Sequence, residues 1–412
     1  MVVNSRLNIW GSLRGLPRDI WIIAAATLIN RIGTMVLPFL VLYLTRELDF
    51  TVERAGFVLA VYGAGAIVVA PLAGRLSDRI GPLPIMRASL LLAGSLLLIF
   101  PFLRSFPAVV GLTFVWALVM ESFRPANLAI VADLVTPEQR KPAFALTRLA
   151  INLGMSVGPA AAGFIAAQSF YWIFIVDAVT TIAAGVLLTV VPLDAMNAAR
   201  SKAERELHVS SGASLRPAVF GDQRLLLFLG ALFLTGMVFF QHEGALPLFL
   251  VDGLGLSPAF YGTLFTINTV MIVFIEVPLN AATAEWPHRW ALCAGAFLFA
   301  AGSGLLAFAT SAVTVVVSIV IWTFGEMMLF PQASAFVAEI APPERRGEYM
   351  GAYSLAFSLA FAIAPWAGTV GLTRLGAQTL WLLVFAVGTV SAAMMLRVST
   401  TRKPLLLSRS LD

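Results

Sequence analysis

Apolar residues in this chain do not alternate with polar ones; they run together in long blocks. Twelve such blocks cover roughly 19–44, 55–77, 84–103, 107–133, 143–166, 169–191, 224–250, 257–282, 289–309, 312–338, 348–371 and 377–398. About 20 apolar residues cross the hydrocarbon core of a bilayer as a helix, whereas a transmembrane barrel shows shorter segments of alternating polarity. The pattern predicts an all-α membrane protein of twelve transmembrane helices. Polar residues gather in the gaps, and the one long gap, 192–223, holds Lys202, Glu204, Arg205, Glu206 and His208.

The two sides of that gap repeat each other. Laying 123–166 over 329–372 places Pro125 on Pro331, Ala129 on Ala335, Asp133 on Glu339, Pro137 on Pro343, Arg140 on Arg346 and Pro159 on Pro365. Nearly the same register pairs Leu37-Pro38 with Leu246-Pro247, Pro71 with Pro278, and Asp78 with Glu285. The chain therefore divides into a six-helix bundle (1–191), a cytoplasmic linker (192–223) and a second six-helix bundle (224–412). Two homologous bundles in the same order can rock against each other around a midplane site, which is what a transporter needs.

Composition sharpens the class. With 59% hydrophobic and 12% charged residues among 412, a soluble globule is excluded, since charged residues there run near about 25%. Of the 27 Lys and Arg residues, twenty fall on one side if both termini share that side. Four (Arg46, Arg54, Arg104, Arg374) fall on the other, and three (Arg31, Arg124, Arg148) lie inside spans. Positive charge stays in the cytoplasm, so both termini are expected there. The isoelectric point near 9.7 then reflects topology and implies no nucleic-acid partner. The first apolar block carries Asn30 and Arg31 and no small-residue cleavage site, so it reads as a retained helix. The single cysteine, Cys293, rules out an intrachain disulfide and reads as packing. The chain shows no P-loop, HExxH, Gly-x-Ser-x-Gly, Cys/His cluster or dinucleotide fingerprint, which speaks against an enzyme and for no metal or cofactor.

Between spans two and three runs Gly74-Arg-Leu-Ser-Asp78-Arg79-Ile-Gly81. It resembles the G-x-L-x-D-R-x-G-R-K signature of the major facilitator superfamily, with Pro82-Leu83 standing where that family has a basic pair. Glycines at 74 and 81 permit a tight turn and close helix approach, and Asp78 can meet a helix N-terminus or an arginine across a gate. In span five, Gly154-x-x-x-Gly158-Pro159-x-x-Ala162-Gly163 is similar to the antiporter motif of the family's drug-exporting branches, with Ala145 and Ala162 at two of its glycine positions. Small residues and a bending proline also make a plain packing face, so both readings stand. The Arg-x-x-Gln-Gly pattern of proton-coupled members in span four is absent. The resemblance covers the whole chain. It implies alternating access by a monomer in a bacterial inner membrane, with spans one, four, seven and ten lining a central cavity.

Charges inside spans are costly and default to function. At ~1.5 Å per residue Arg31 lies about 19 Å from the inner end of span one. Glu121 is mid-span four, with Arg124 a turn further on; Glu326 is mid-span ten; Glu243, beside His242, is in span seven. Arg31 or Arg124 could instead neutralise Glu121 as a structural pair. Arg148 is either a gate residue or one that snorkels. Asp177 reads as a helix-contact residue, Glu276 as intermediate, and His208 and His288 as solvated loop residues. His242 reads as a proton relay or as packing. Phe39, Tyr43, Tyr62, Trp116, Phe123, Phe239, Phe240, Phe265, Trp322, Phe324 and Phe330 populate the expected cavity helices. Aromatic faces with a carboxylate suit amphipathic cations, although aromatics in spans also face lipid. The expectation is a secondary transporter exporting drug-like or amphipathic small molecules in exchange for protons. Glu326, with no arginine within a turn, is the expected coupling acid and Glu121 the paired one. The alternatives are a metabolite or organic-anion carrier binding through Arg31 and Arg124, or a transport-inactive membrane sensor.

Overall fold

Twelve helices long and apolar enough to cross a membrane follow one another along the chain. They are α1 (Arg18–Arg46), α2 (Val52–Ser77), α3 (Pro82–Phe102), α4 (Phe106–Asp133), α5 (Pro142–Ala166), α6 (Phe170–Val190), α7 (Gln223–Gly253), α8 (Pro258–Ala282), α9 (His288–Phe308), α10 (Ala312–Ile340), α11 (Gly347–Leu375) and α12 (Ala377–Leu396). They come from a computed structural model that describes residues 15–136, 139–193, 221–342 and 345–398, with no strand among them. Phe102, Val190 and Phe274, each more than 70% exposed, ring the outside, as helices whose backbone bonds are closed internally present apolar side chains to lipid. Helix starts are set by side-chain caps at Thr51, Ser169, Asp222, Ser257 and Ser311. Burial alone would push the Asp222 carboxyl up. Hydrogen bonds from Arg224, Tyr349 and the Leu225 amide outweigh that and hold it below the usual carboxylate range. The helix of α2 continues to Ile80, and Gly81 ends it at φ 87°, a left-handed turn that needs glycine.

Three spans expected to be continuous are broken, and prolines account for the places. A proline lacks the N–H that would bond the carbonyl four residues earlier. In α1 the helix stops at Ile32 and restarts at Val36, just ahead of Pro38. In α4 it stops at Glu121 and restarts at Phe123, ahead of Pro125. In α7 regular helix ends at Phe239 and resumes at Ala245, ahead of Pro247. Helix α10 keeps its run through Pro331. Freed backbone groups find side chains. The carboxylate of Asp177 on α6 accepts the Met35 and Val36 amides at 3.1 and 3.0 Å. It thereby caps the second half of α1, a favourable place for an anion. Gln241 donates to the Met237 and Ala364 carbonyls. Asp177→Ala strands two buried amides at about 1–3 kcal/mol each. The yield of folded, detergent-extracted protein is expected to drop severalfold, with Asp177→Asn intermediate; an unchanged yield and melting temperature for the alanine variant would remove this role.

The halves meet along α5–α8 and α2–α11. Gly262 of α8 lies against the Pro159 backbone of α5, and Gly163 against Pro258 and Ala259. Gly56 and Gly63 of α2 lie against Thr369 and Ala362 of α11. At the face opposite the start of α1, Arg46 pairs with Asp252 at 2.5 Å, and Thr373 donates to Glu53 at 3.1 Å. Deeper, the Tyr261 hydroxyl lies 3.2 Å from the Pro38 carbonyl and 2.7 Å from that of His242. Further toward the other face, Arg148 pairs with Glu276 across α5 and α8. His288 is not a solvated loop residue: it opens α9, with Nε2 2.9 Å from Glu339 of α10.

Candidate functional site

The proline breaks set intramembrane charges beside unwound backbone. Arg31 sits just before the α1 break, Glu121 at the α4 break and Glu243 inside the α7 break. Two separate cavities lie beside them.

The larger cavity, about 150 Å³, belongs mainly to the second half and is walled by α7, α8 and α10, with Asn152 and Met155 entering from α5. Glu326 accepts a hydrogen bond from Asn268 Nδ2 at 2.7 Å, and the same amide reaches Thr323. His242 stands among four aromatic rings, those of Phe239, Phe240, Phe265 and Trp322, at 4.7 to 6.1 Å. Its Nδ1 lies 2.7 Å from the Phe239 carbonyl, so Nδ1 carries a hydrogen and donates it. Nε2 lies 3.5 Å from Glu243 and is the nitrogen free to gain or lose a proton. The second oxygen of Glu243 is buried with no partner among the described residues. The cavity thus combines an aromatic lining, a hydrogen-bonded acid and a histidine–glutamate pair able to hold a proton.

The smaller cavity, about 50 Å³, lies in the first half and is lined by Arg31, Tyr62, Trp116, Glu121 and Arg124, with Asp177 at its edge. The Tyr62 hydroxyl donates to Glu121 at 2.8 Å. No ion pair among the described residues joins Glu121 to Arg31 or Arg124, so the expected arginine pairing of Glu121 is replaced by a tyrosine bond. Phe361 bridges the halves between the cavities, 5.8 Å from the Tyr62 ring and 4.8 Å from that of Phe240.

Arg31, Glu121 and Arg124 therefore come together, Glu326 lies in the other cavity, and Glu243 backs His242. The remaining candidates are contacts between helices. Gly154 and Gly158 press α5 against the Arg31–Thr34 break of α1, and Pro159 and Gly163 press it against α8. Arg148 makes the cross-half pair with Glu276. Arg79 is exposed at the end of α2; Gly74 and Asp78 fall outside the side chains described. Two site residues escaped the sequence reading, and a third was left between two roles. Tyr62 was seen only as an aromatic, and Asn268 carried no signal. The third, His242, was read as a proton relay or as packing, and the structure places it in the cavity wall.

The sequence model described as Major Facilitator Superfamily matches residues 23–260 and again 243–410. The chain belongs to that superfamily. Superfamily relatives are distant. A Bacillus subtilis protein named "Uncharacterized MFS-type transporter YqjV" is 24% identical, covering 87% of each chain. A "Na(+), Li(+), K(+)/H(+) antiporter" of Planococcus maritimus is also 24% identical, over 80% of this chain and 84% of its own. "Multidrug resistance protein MdtH" of Aeromonas salmonicida is 24% identical, over 80% and 82%. The fold is similar to that of a solved D-xylose-proton symporter, with a TM-score of 0.72 at 16% identity over 92% of this chain and 97% of that one. The chain is accordingly a multi-pass membrane transporter of this superfamily.

Proposed function

We propose that this transporter exports amphipathic, drug-like small molecules in exchange for protons by alternating access, without catalytic chemistry. One observation carries the reading: Glu326 and His242 line the same aromatic cavity, and Glu243 stands beside His242 Nε2. Transport coupled to a pH gradient needs a group that loses its proton when substrate enters. Glu326, held by Asn268 and facing the cavity, is suited to exchange a proton for a substrate cation or polar group. His242 Nε2 and Glu243 offer a second proton position beside the same cavity. A solute body would rest on the rings of Phe239, Phe265 and Trp322. The multidrug and cation/proton antiporter names among distant relatives favour this reading. With the termini in the cytoplasm of a bacterial inner membrane, the Arg46–Asp252 face is the outer one. Proteoliposomes given an imposed pH gradient test it. Ethidium or a similar aromatic cation is expected to accumulate with the gradient and to stop when nigericin collapses it; accumulation unaffected by nigericin would exclude proton exchange, and none at all would favour a sensor.

A second reading, a carrier of organic anions, is favoured by one observation: the buried Nε of Arg31 has no hydrogen-bond partner among the described residues.

A further inference from the structure

The first-half cavity holds more donors than acceptors. Arg31 Nε and Trp116 Nε1 are both buried without a hydrogen-bond partner. Both residues line this cavity, and Arg124 adds a second guanidinium on its exposed side. The nearby carboxylates already accept from other donors. Glu121 has taken the Tyr62 hydroxyl. One oxygen of Asp177 accepts the Met35 and Val36 amides and the other the Thr181 hydroxyl. A buried donor left unmade costs about 1–3 kcal/mol, and more when charged, so two in one cavity mark the place of an absent acceptor. Arg31 is itself cationic, so the acceptor that best completes these two open donors is an anionic oxygen. The second-half cavity has the opposite imbalance, with the unpartnered oxygen of Glu243 beside it and Glu326 in its wall.

We infer that the first-half cavity is an oxyanion subsite that takes the carboxylate, sulfonate or phosphonate group of the transported solute. Arg31 Nε–H and Trp116 Nε1–H are its donors, and Arg124 supplies counter-charge. At about 50 Å³ it is sized for a head group and not for an aromatic body. Within the proposed amphipathic substrates, this subsite favours those that also carry an acid group. Glu121 competes with such a group for the two arginines, so an entering anion favours release of that competition, by protonation or by withdrawal of the carboxylate. This rests on the transporter reading only for the word transported; the binding event stands without it.

The test is titration calorimetry on the purified full chain in detergent micelles. The probes are 1-naphthaleneacetate and its uncharged amide, 1-naphthaleneacetamide, which share a ring and differ in the head group. Hydrogen bonds to charged groups exceed neutral ones enough to predict binding of the acid about tenfold tighter than the amide. Arg31→Gln should erase that preference. Trp116→Phe, which keeps the ring and removes the N–H, should reduce it severalfold. Glu121→Gln should enlarge it, an effect that a merely structural role for these residues would not produce. Equal affinities for acid and amide in the wild type would overturn the inference, as would an undiminished preference in both Arg31→Gln and Trp116→Phe. The gradient experiment above reads the other claim separately. Gradient-driven uptake together with equal acid and amide binding keeps the transporter and removes this subsite; acid preference without uptake does the reverse.

Discussion

Glu326→Gln is expected to abolish pH-gradient-driven accumulation while leaving substrate binding and gradient-free exchange in place. Glutamine has the same shape, and its side-chain oxygen can still accept from Asn268 Nδ2, which holds the native carboxylate at 2.7 Å. The cavity wall is therefore kept and only the exchangeable proton is lost. Coupling needs a group that alternates between charged and neutral forms, and a group that cannot ionise leaves the gradient nothing to act on. Glu121→Gln gives the contrasting result: Tyr62 can still donate to the amide oxygen, and no arginine ion pair is broken, so folded yield is preserved. Paired measurements of ethidium accumulation and ethidium binding for the two variants check this. Gradient-driven accumulation at the wild-type rate by Glu326→Gln would move the proton elsewhere, with His242–Glu243 next in line.

Gly262→Val is the second large effect, and it acts on conformation and not on chemistry. A side-chain carbon at 262 would run into the Pro159 carbonyl and sit about 3.1 Å from the Ala160 Cα, both backbone of the opposite half. Backbone cannot step aside as a flexible side chain can. Overpacking costs about 1–3 kcal/mol, and here only the state with this face sealed carries the cost, because the other state parts α5 from α8. That shifts the equilibrium by a factor of about 5–150 toward the opposite opening. Transport is expected to fall close to background, while the protein remains folded and binds ligand with altered affinity. Distances between spin labels at Glu47 and Arg374, exposed positions of the two halves on this face, should lengthen in the variant. A wild-type transport rate together with wild-type distances would remove the sealing role of this contact.

The sequence was legible where physics acts on long stretches. Twelve apolar blocks, each of bilayer length, became twelve spans, because a hydrocarbon core leaves the backbone little choice but to bond within its own helix. The paired prolines were visible as a repeat, yet their consequence was not drawn. Pro38, Pro125 and Pro247 each open a span about one turn earlier, while Pro331 leaves α10 continuous, so proline alone does not settle whether a helix breaks. Asp177 was readable as a helix-contact residue because an acid on a peripheral span needs a partner. That its partners are the amides of the α1 break required knowing that α1 breaks. The charged residues of the four cavity spans could be picked out, but their grouping into two cavities could not. Side-chain rotation places Tyr62 on Glu121 where an arginine was expected, and nothing in sequence spacing encodes it. Asn268 is an ordinary polar residue until α8 meets α10. Gly262 and Gly163 are ordinary helix glycines until the two halves touch.

Alternating access itself is tested most directly by the labelled pair at 47 and 374 in otherwise wild-type protein, with Cys293 replaced by Ala. Double electron–electron resonance would be recorded in nanodiscs at acidic and alkaline pH, with and without ethidium. The account predicts a short distance for the sealed face seen here and a second, longer distance, with their populations redistributed by proton and substrate. One short distance that no condition alters, in protein shown to transport, would contradict it.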